Sequence, residues 1–485
     1  MESIAWKSIF DFSHEKPWFF TEFTFLAVFG VFLIIYSFLK DGSKARSWYL
    51  ILFSLFFYYK SSGPFLVLFL FMIISDYWFA RAIQKLKGTK KKLILILSIA
   101  ISLSFLLYFK YIDFFVFNIN TLFGTKFDSY NLFLPIGISF YTFQSISYLV
   151  DVYREELKAT KNFRDYAFYM TFFPHLVAGP IVRAKDFLPQ IYNPVVLQSR
   201  FFGEAMFKIT VGLLKKLLIA DYLGKYVDMV HGDPRGFSGV EHLVSMYAYT
   251  FQIYFDFSGY SDIAIGLALL MGYRLKENFD LPYLATNITE FWRKWHISLS
   301  HWLRDYIYIP LGGSRKGPVR TYIFLMSTML IGGFWHGADW RFVFWGFAHG
   351  LALAVHKLWL RYFKGFSNNL AGNFFGLLLT FQFVSLCWIF FRANSFDSAF
   401  HGIIKILLST QWDGFYAFVC ARPEFSFVFL IAAILVFMPN HYRFRAYSNI
   451  VGFPIWSWLI LLLVVLQVIV QFKDDVVPPF IYFQF

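Results

Sequence analysis

Long apolar runs separated by short polar breaks dominate the chain. The runs cover 18–38, 64–83, 93–112, 132–151, 240–255, 320–336, 341–361, 372–391, 424–438 and 455–472. A shorter run at 47–59 reads as a tilted crossing. A membrane-crossing helix needs ~20 such residues, so the pattern predicts about eleven transmembrane helices. Segments 165–183 and 204–223 are apolar but interrupted by polar residues, and they read as re-entrant or interfacial helices. The expected fold is an all-α integral membrane protein, one polytopic domain over 1–485. Within it, 1–129 are N-terminal helices, 130–350 a core and 351–485 C-terminal helices.

Composition agrees with this reading. Of 485 residues, 58% are hydrophobic and 15% charged, and mean hydropathy is +0.54. An ordinary globular chain carries roughly 25% charged residues. Too few charges remain to cover a soluble surface, which excludes an extended soluble enzyme and a disordered chain. Aromatic residues reach 23%, with 67 Phe, expected as lipid-facing and packing mass.

Charge then orients the helices. The net charge of +14 comes from basic residues between apolar runs rather than on a soluble face, so nucleic-acid binding is not expected. Lys40, Lys44 and Arg46 follow the first run, Lys60 alone the second. Arg81, Lys85, Lys87, Lys90, Lys91 and Lys92 follow the third. Lys126 is the sole base near 113–130, and Arg154, Lys158, Lys161 and Arg164 come next. This alternation places the N-terminus outside and the loops 40–46, 81–92 and 154–164 in the cytoplasm. The polar start, Met1 to Lys16, and a first run without a small-residue cleavage site predict a retained helix rather than a secretory signal. Cys387 and Cys420 form no disulfide framework or zinc pattern, and both are expected as small buried groups.

Polar chemistry concentrates between 172 and 350. Intramembrane polar groups are costly, so they are functional candidates. From Asn287 to Gly313, helical spacing would put Trp292, Trp295, Leu299 and Trp302 on one face, with Arg293, His296 and Ser300 beside them. This stretch is too polar to span; it is either an interfacial anchor or a cavity wall. Gly332 to Gly337 ends an apolar run and carries Trp335 and His336 among three glycines. The glycines would admit a substrate or another backbone. A neutral imidazole there suits a general base near pH 7, the alternative being a packing residue. Tyr254 to Asp262 brings Asp256, Ser258, Ser261 and Asp262 into an apolar stretch, as cation ligands or as hydrogen bonds between helices. Phe172 to Arg183 holds Pro174, Gly179 and Pro180, which forbid a regular helix and suggest a re-entrant segment. No phosphate-binding loop, dinucleotide fingerprint, serine elbow or His-x-x-x-x-Asp box occurs. His296 and His301 lie five apart, a poor helical metal pair, so no metal site is expected.

Phe172 to Arg183, Tyr254 to Gly266, Glu277 to Tyr283, Phe291 to Gly313 and Gly332 to Gly337 occur in an order that resembles the membrane-bound O-acyltransferases. Trp295 to Ser300 followed by Trp302 to Tyr306 is the most specific of these matches. Ala178 to Val182 and Pro310 to Arg315 look like the acetylating branch, that of the integral-membrane subunit of bacterial alginate O-acetyltransferase. Much is also shared with the teichoic-acid D-alanylating branch. The resemblance implies a funnel or tunnel through the membrane, with His336 and His296 as the catalytic pair. Arg304 and Asp305 fall on the family's supporting positions. Asn287, Arg293, Trp295, Ser298, Trp335, Asp256, Ser258 and Arg183 complete the candidate site.

The implied reaction moves acetyl from cytoplasmic acetyl-CoA to an extracytoplasmic polysaccharide. The implied setting is the bacterial inner membrane, with an exported serine-hydrolase-like partner beside a polysaccharide synthase complex. Arg293, Lys294, Arg304, Arg315 and Lys316 would attract the anionic donor. No bound cofactor is expected. Transfer of D-alanyl or another acyl group, a transporter or flippase, and a membrane scaffold are the alternatives. The absence of a visible internal repeat weighs against a transporter.

Overall fold

The computed structural model describes residues 10–13, 17–177, 179–192, 199–363, 370–410, 412–472 and 480–481. Most of the polar N-terminal stretch and Ala178 lie outside them. All regular structure among the described residues is helical. The chain divides into two compact units, 1–205 with 264–276 and 206–263 with 277–485.

The first unit contains α1 (Phe23–Phe38), α2 (Lys44–Ser62), α3 (Leu66–Lys85), α4 (Gly88–Leu106), α5 (Ile112–Phe123), α6 (Ile138–Tyr153), α7 (Phe163–Thr171), α8 (Phe173–Leu176) and α9 (Ala184–Tyr192). A 3-10 turn joins α2 to α3 into a 42-residue element, and a π-helical turn at Leu107–Tyr111 joins α4 to α5 into one of 36 residues. Phenylalanine supplies packing here: Phe173 meets the rings of Phe20, Phe25, Phe29, Phe53 and Phe57 at centroid distances of 5.3 to 6.0 Å. Phe172 breaks the path between α7 and α8 with ψ near 100°, so Pro174 enters at the start of a new helix, where its missing N–H costs nothing. Past α8 the described chain is irregular to Arg183.

The second unit begins within α10 (Ser199–Leu213), followed by a π-helical stretch (Leu214–Ala220) and α11 (Asp221–Gly232). Next comes α12 (Gly239–Leu270), whose last turns belong to the first unit. The rest of the second unit is α13 (Ile288–Lys294), α14 (Ile297–Leu303), α15 (Ile309–Leu311), α16 (Pro318–His336), α17 (Trp340–Tyr362), α18 (Leu370–Arg392), α19 (Phe396–Leu408), α20 (Asp413–Ala421), α21 (Pro423–Phe437), α22 (Asn440–Val451) and α23 (Ile455–Phe472). Helix α12 is buried along its whole apolar window.

Five helical elements among the described residues are long and apolar enough to cross a membrane, or seven if the bent pairs α20–α21 and α22–α23 each count once. This corrects the expected eleven. The runs 47–59 and 64–83 fuse into one element. The run 18–38 yields a helix of 16 residues, because Trp18 to Glu22 precede it. The run 132–151 yields 16 residues, because Pro135 and Gly137 delay its start, and they are almost wholly buried in protein. Helix α16 has 19 residues but carries Arg320 and Thr321 in its first turn and two glycines, Trp335 and His336 in its last five residues. The runs 424–438 and 455–472 become the long arms of pairs bent by 100° and 116°.

Conversely, the span expected at 240–255 continues to Leu270. Asp256 and Asp262 do not end it because each meets a cation: Lys216 Nζ lies 2.5 Å from Asp256, and Lys208 and Lys215 lie 2.9 and 2.6 Å from Asp262. A buried charge is tolerated when it is paired and hydrogen-bonded. Cys387 is buried, but Cys420 is exposed, against expectation, on the short helix α20.

Candidate active site

His336 is the last residue of α16 and is buried. Its imidazole sits in an aromatic box, with ring centroids at 5.0 Å to Trp335, 5.1 Å to Trp345 and 5.2 Å to Phe391, all edge-on. The neighbouring glycines admit backbone. A Cβ on Gly333 would fall 2.3 Å from the Phe342 carbonyl oxygen, and one on Gly346 would fall 2.4 Å from the Met329 carbonyl oxygen. Helices α16 and α17 therefore touch through their main chains, and this contact sets His336 against Trp345.

His296 is reached differently. The stripe expected from a continuous helix is broken, since α13 stops at Lys294 and His296 has φ +41° before α14 resumes. A left-handed conformation at a non-glycine residue is costly and is held by surrounding contacts. Those contacts come from the 278–280 loop. Asp280 N–H donates to the Lys294 carbonyl and Ile297 N–H to the Asn278 carbonyl, both at 2.9 Å. Asn278 Oδ1 accepts from His296 Nδ1 at 3.2 Å, from Ser298 N–H at 3.1 Å and from Ser298 Oγ at 2.9 Å. An amide oxygen only accepts, so His296 carries its proton on Nδ1 and its basic lone pair on Nε2. Burial pushes this imidazole down to about 3, which keeps it neutral at physiological pH. Trp335 stands between the two histidines, 6.2 Å from His296 and 5.0 Å from His336.

Removing the Asn278 amide takes the shared acceptor from the buried His296 and the part-buried Ser298. We expect Asn278→Ala to lower stability by about 1–3 kcal/mol, read as a drop in the melting temperature of the detergent-solubilised protein.

Other candidates take distinct roles. Trp295 is buried against Phe291, Phe279 and Trp388, at 5.6, 5.1 and 5.0 Å. Asn287 is the N-cap of α13, its side chain accepting the Glu290 N–H at 2.9 Å. Arg304 is half exposed and pairs with its neighbour Asp305 at 2.6 Å, while Lys294 pairs with Glu290. Arg293, Arg315 and Lys316 are exposed and have no ion-pair partner among the described residues. Asp256 is tied structurally: besides Lys216, it accepts the Ile481 N–H at 3.0 Å. Arg183 lies in the first unit, where its carbonyl accepts the Asp186 and Phe187 N–H groups that begin α9.

Ser258 faces a cavity of about 1010 Å³, whose wall includes Lys208, Lys215, Ser261, Asn278 and Arg443. Ser258 Oγ, Ser261 Oγ and Asn278 Nδ2 are buried and have no hydrogen-bond partner among the described residues. Asn278 thus faces the cavity and holds His296 at once. Asn278, Trp345 and His349 escaped the sequence reading. Asn278 lies in the Glu277 to Tyr283 motif, which was its available signal. His349 is fully buried one turn after Trp345, its Nδ1 accepting the Trp292 indole N–H at 3.3 Å. No group of three His, Cys, Asp or Glu among the described residues is placed to hold a metal ion.

Comparison with known proteins gives this geometry its context. The model of the MBOAT, membrane-bound O-acyltransferase family matches residues 102–391. The chain is 42% identical over 386 residues to a probable alginate O-acetylase of Pseudomonas putida, covering 78% of this chain and 77% of that one. It is 38% identical over 405 residues to a peptidoglycan O-acetyltransferase of Helicobacter pylori, covering 78% and 76%. A teichoic acid D-alanyltransferase of Streptococcus thermophilus is more distant, at 27% over 282 residues, covering 53% and 68%. A family match over more than half of the chain, with such relatives along most of it, means that the chain belongs to the membrane-bound O-acyltransferase family and is a multi-pass membrane O-acyltransferase.

Proposed function

We propose that the protein transfers acetyl from cytoplasmic acetyl-CoA to a hydroxyl on the far side of the membrane, with an extracytoplasmic polysaccharide of the alginate type as the final acceptor. The observation that carries this reading is the continuity from cavity to base. A cavity with three unpartnered polar groups meets Asn278; Asn278 holds His296; Trp335 links His296 to His336. Its volume is at the upper end for small-molecule sites, enough for the flexible arm of a thioester donor. Arg293, Arg315 and Lys316 draw in the donor's phosphates from the cytoplasm.

A thioester is already activated, so the chemical task is to deprotonate the acceptor. His336 takes the hydroxyl proton and returns it to the departing thiolate. His296, neutral and clamped by Asn278, orients the donor. The acceptor is reached through an exported partner with a serine nucleophile, which passes acetyl to the polymer under synthesis. The acetylase relatives, at 38% and 42% identity, favour acetyl over the D-alanyl group of the more distant relative.

Purified protein in nanodiscs tests the donor. Acetyl-CoA should release free thiol at a rate that rises with an added acceptor hydroxyl; thiol release confined to a D-alanyl carrier would overturn the acetyl assignment. For orientation, Lys90 lies in the first turn of the 36-residue Gly88–Phe123 element and Lys126 just past its end, the element being about 54 Å long at 1.5 Å per residue. Accessibility reporters at these two positions should label from opposite sides; labelling of both from one side would overturn the orientation.

A further inference from the structure

Three buried tryptophans, Trp292, Trp345 and Trp388, form one wall beside His336, and their indole N–H groups differ. Trp292 donates to His349 Nδ1 at 3.3 Å, and Trp388 donates to the Tyr283 hydroxyl at 3.2 Å. Trp345 Nε1 is buried with no hydrogen-bond partner among the described residues. Trp345 is also the member whose ring packs directly on the His336 imidazole, centroids 5.1 Å apart and planes at 85°. An indole N–H can only donate, and a buried one normally finds an acceptor. A donor left unpaired on the ring that packs against the base can meet an acceptor that appears during the reaction.

We infer that Trp345 is a catalytic residue whose Nε1–H stabilises the oxyanion formed on the acetyl carbonyl during transfer. The inference rests on the reading of His336 as the base. As the acceptor oxygen bonds to the carbonyl carbon, its proton passes to His336 and the carbonyl π electrons move onto oxygen, where the Trp345 N–H meets them. When the carbonyl reforms, the carbon–sulfur bond breaks and the thiolate takes the proton from the His336 imidazolium. The products are the acetyl ester and the thiol. No oxidant, metal or further reactant enters.

The surrounding packing fits this role. Trp345 stacks on Trp388 at 5.6 Å, meets Trp292 edge-on at 5.7 Å and contacts His349 at 4.6 Å, so the ring is held on several sides. Gly346 and Gly333 hold its helix against the helix of His336 at main-chain distance. Preorganised donors of this kind act strongly where water is excluded. His349 packs on Trp345 and supports the ring.

The test compares wild type, Trp345→Phe and Trp345 replaced by its sulfur isostere benzothienylalanine, which keeps the ring shape and deletes only the N–H. Transfer from acetyl-CoA should fall about 10²–10³-fold in kcat for both, with donor KM unchanged. Wild-type kcat in the isostere would overturn the inference, as would a change confined to KM, which marks a wall that merely positions the donor. Should Trp345→Phe fail to fold, the isostere alone decides. His336→Ala is measured beside them. If it is inactive while the isostere is active, only the Trp345 assignment falls; if it retains turnover, the base assignment falls and takes this one with it.

Discussion

Membranes carrying His336→Ala should transfer acetyl about 10²–10⁴-fold more slowly than wild type, the range that a positioned general base contributes. The loss should appear in turnover rather than in the amount of folded protein. His336 ends α16, which meets α17 through main-chain contact at Gly333 and Gly346. His336→Gln should lose a similar factor, because an amide keeps polarity and volume but accepts no proton near neutral pH. The measurement is acetyl release from acetyl-CoA in membranes, with polymer acetylation in cells as the second readout. Full acetylation by either variant would leave the imidazole as packing and require another base. His296 is joined to the cavity through Asn278 and would be the next candidate.

The sequence already shows that helices pack in a membrane, because lipid-exposed backbone must satisfy itself internally and long apolar runs follow. It overstates their number for a physical reason. Apolar content measures what a segment can bury, and protein buries it as well as lipid does. Helix α6, within the run 132–151, is buried almost throughout. The opposite error has the same origin. The apolar run at 240–255 stops short of Asp256, yet Lys216, Lys208 and Lys215 carry α12 past both carboxylates. These lysines stand forty or more residues upstream of their partners in Asp256 and Asp262, beyond the reach of any local pattern.

His336 and His296 were legible because motif and residue type coincide there. What held them was not. The left-handed turn at His296 replaces the continuous amphipathic face that periodicity suggested, and its anchor, Asn278, is eighteen residues away. Trp345 and His349 look like ordinary members of an apolar helix until their hydrogen bonding is compared with that of Trp292 and Trp388.

Lys216→Met should be the most damaging substitution away from the histidines. Lys216 is buried and joins Asp256 at 2.5 Å and Asp221 at 2.6 Å. Asp256 also accepts the Ile481 N–H, and Phe480 packs on Phe257, whose ring meets His296 at 4.6 Å. Removing one partner of a buried ion pair leaves uncompensated charge and costs about 3–5 kcal/mol. The loss should depend on pH. Burial already pushes the Asp221 carboxyl up to about 6 although Lys216 is present to lower it. An acid whose folded pKa exceeds its unfolded value near 4 binds its proton more tightly when folded, so stability falls as pH rises through that interval. Without Lys216 the interval extends upward. The variant should therefore melt higher at pH 5 than at pH 8, by a wider margin than wild type. Adding Asp256→Asn and Asp221→Asn to Lys216→Met removes the stranded charges and should recover much of the melting temperature. A Lys216→Met protein as stable as wild type at pH 8 would show that the cluster lies open to water and bears no weight in the fold.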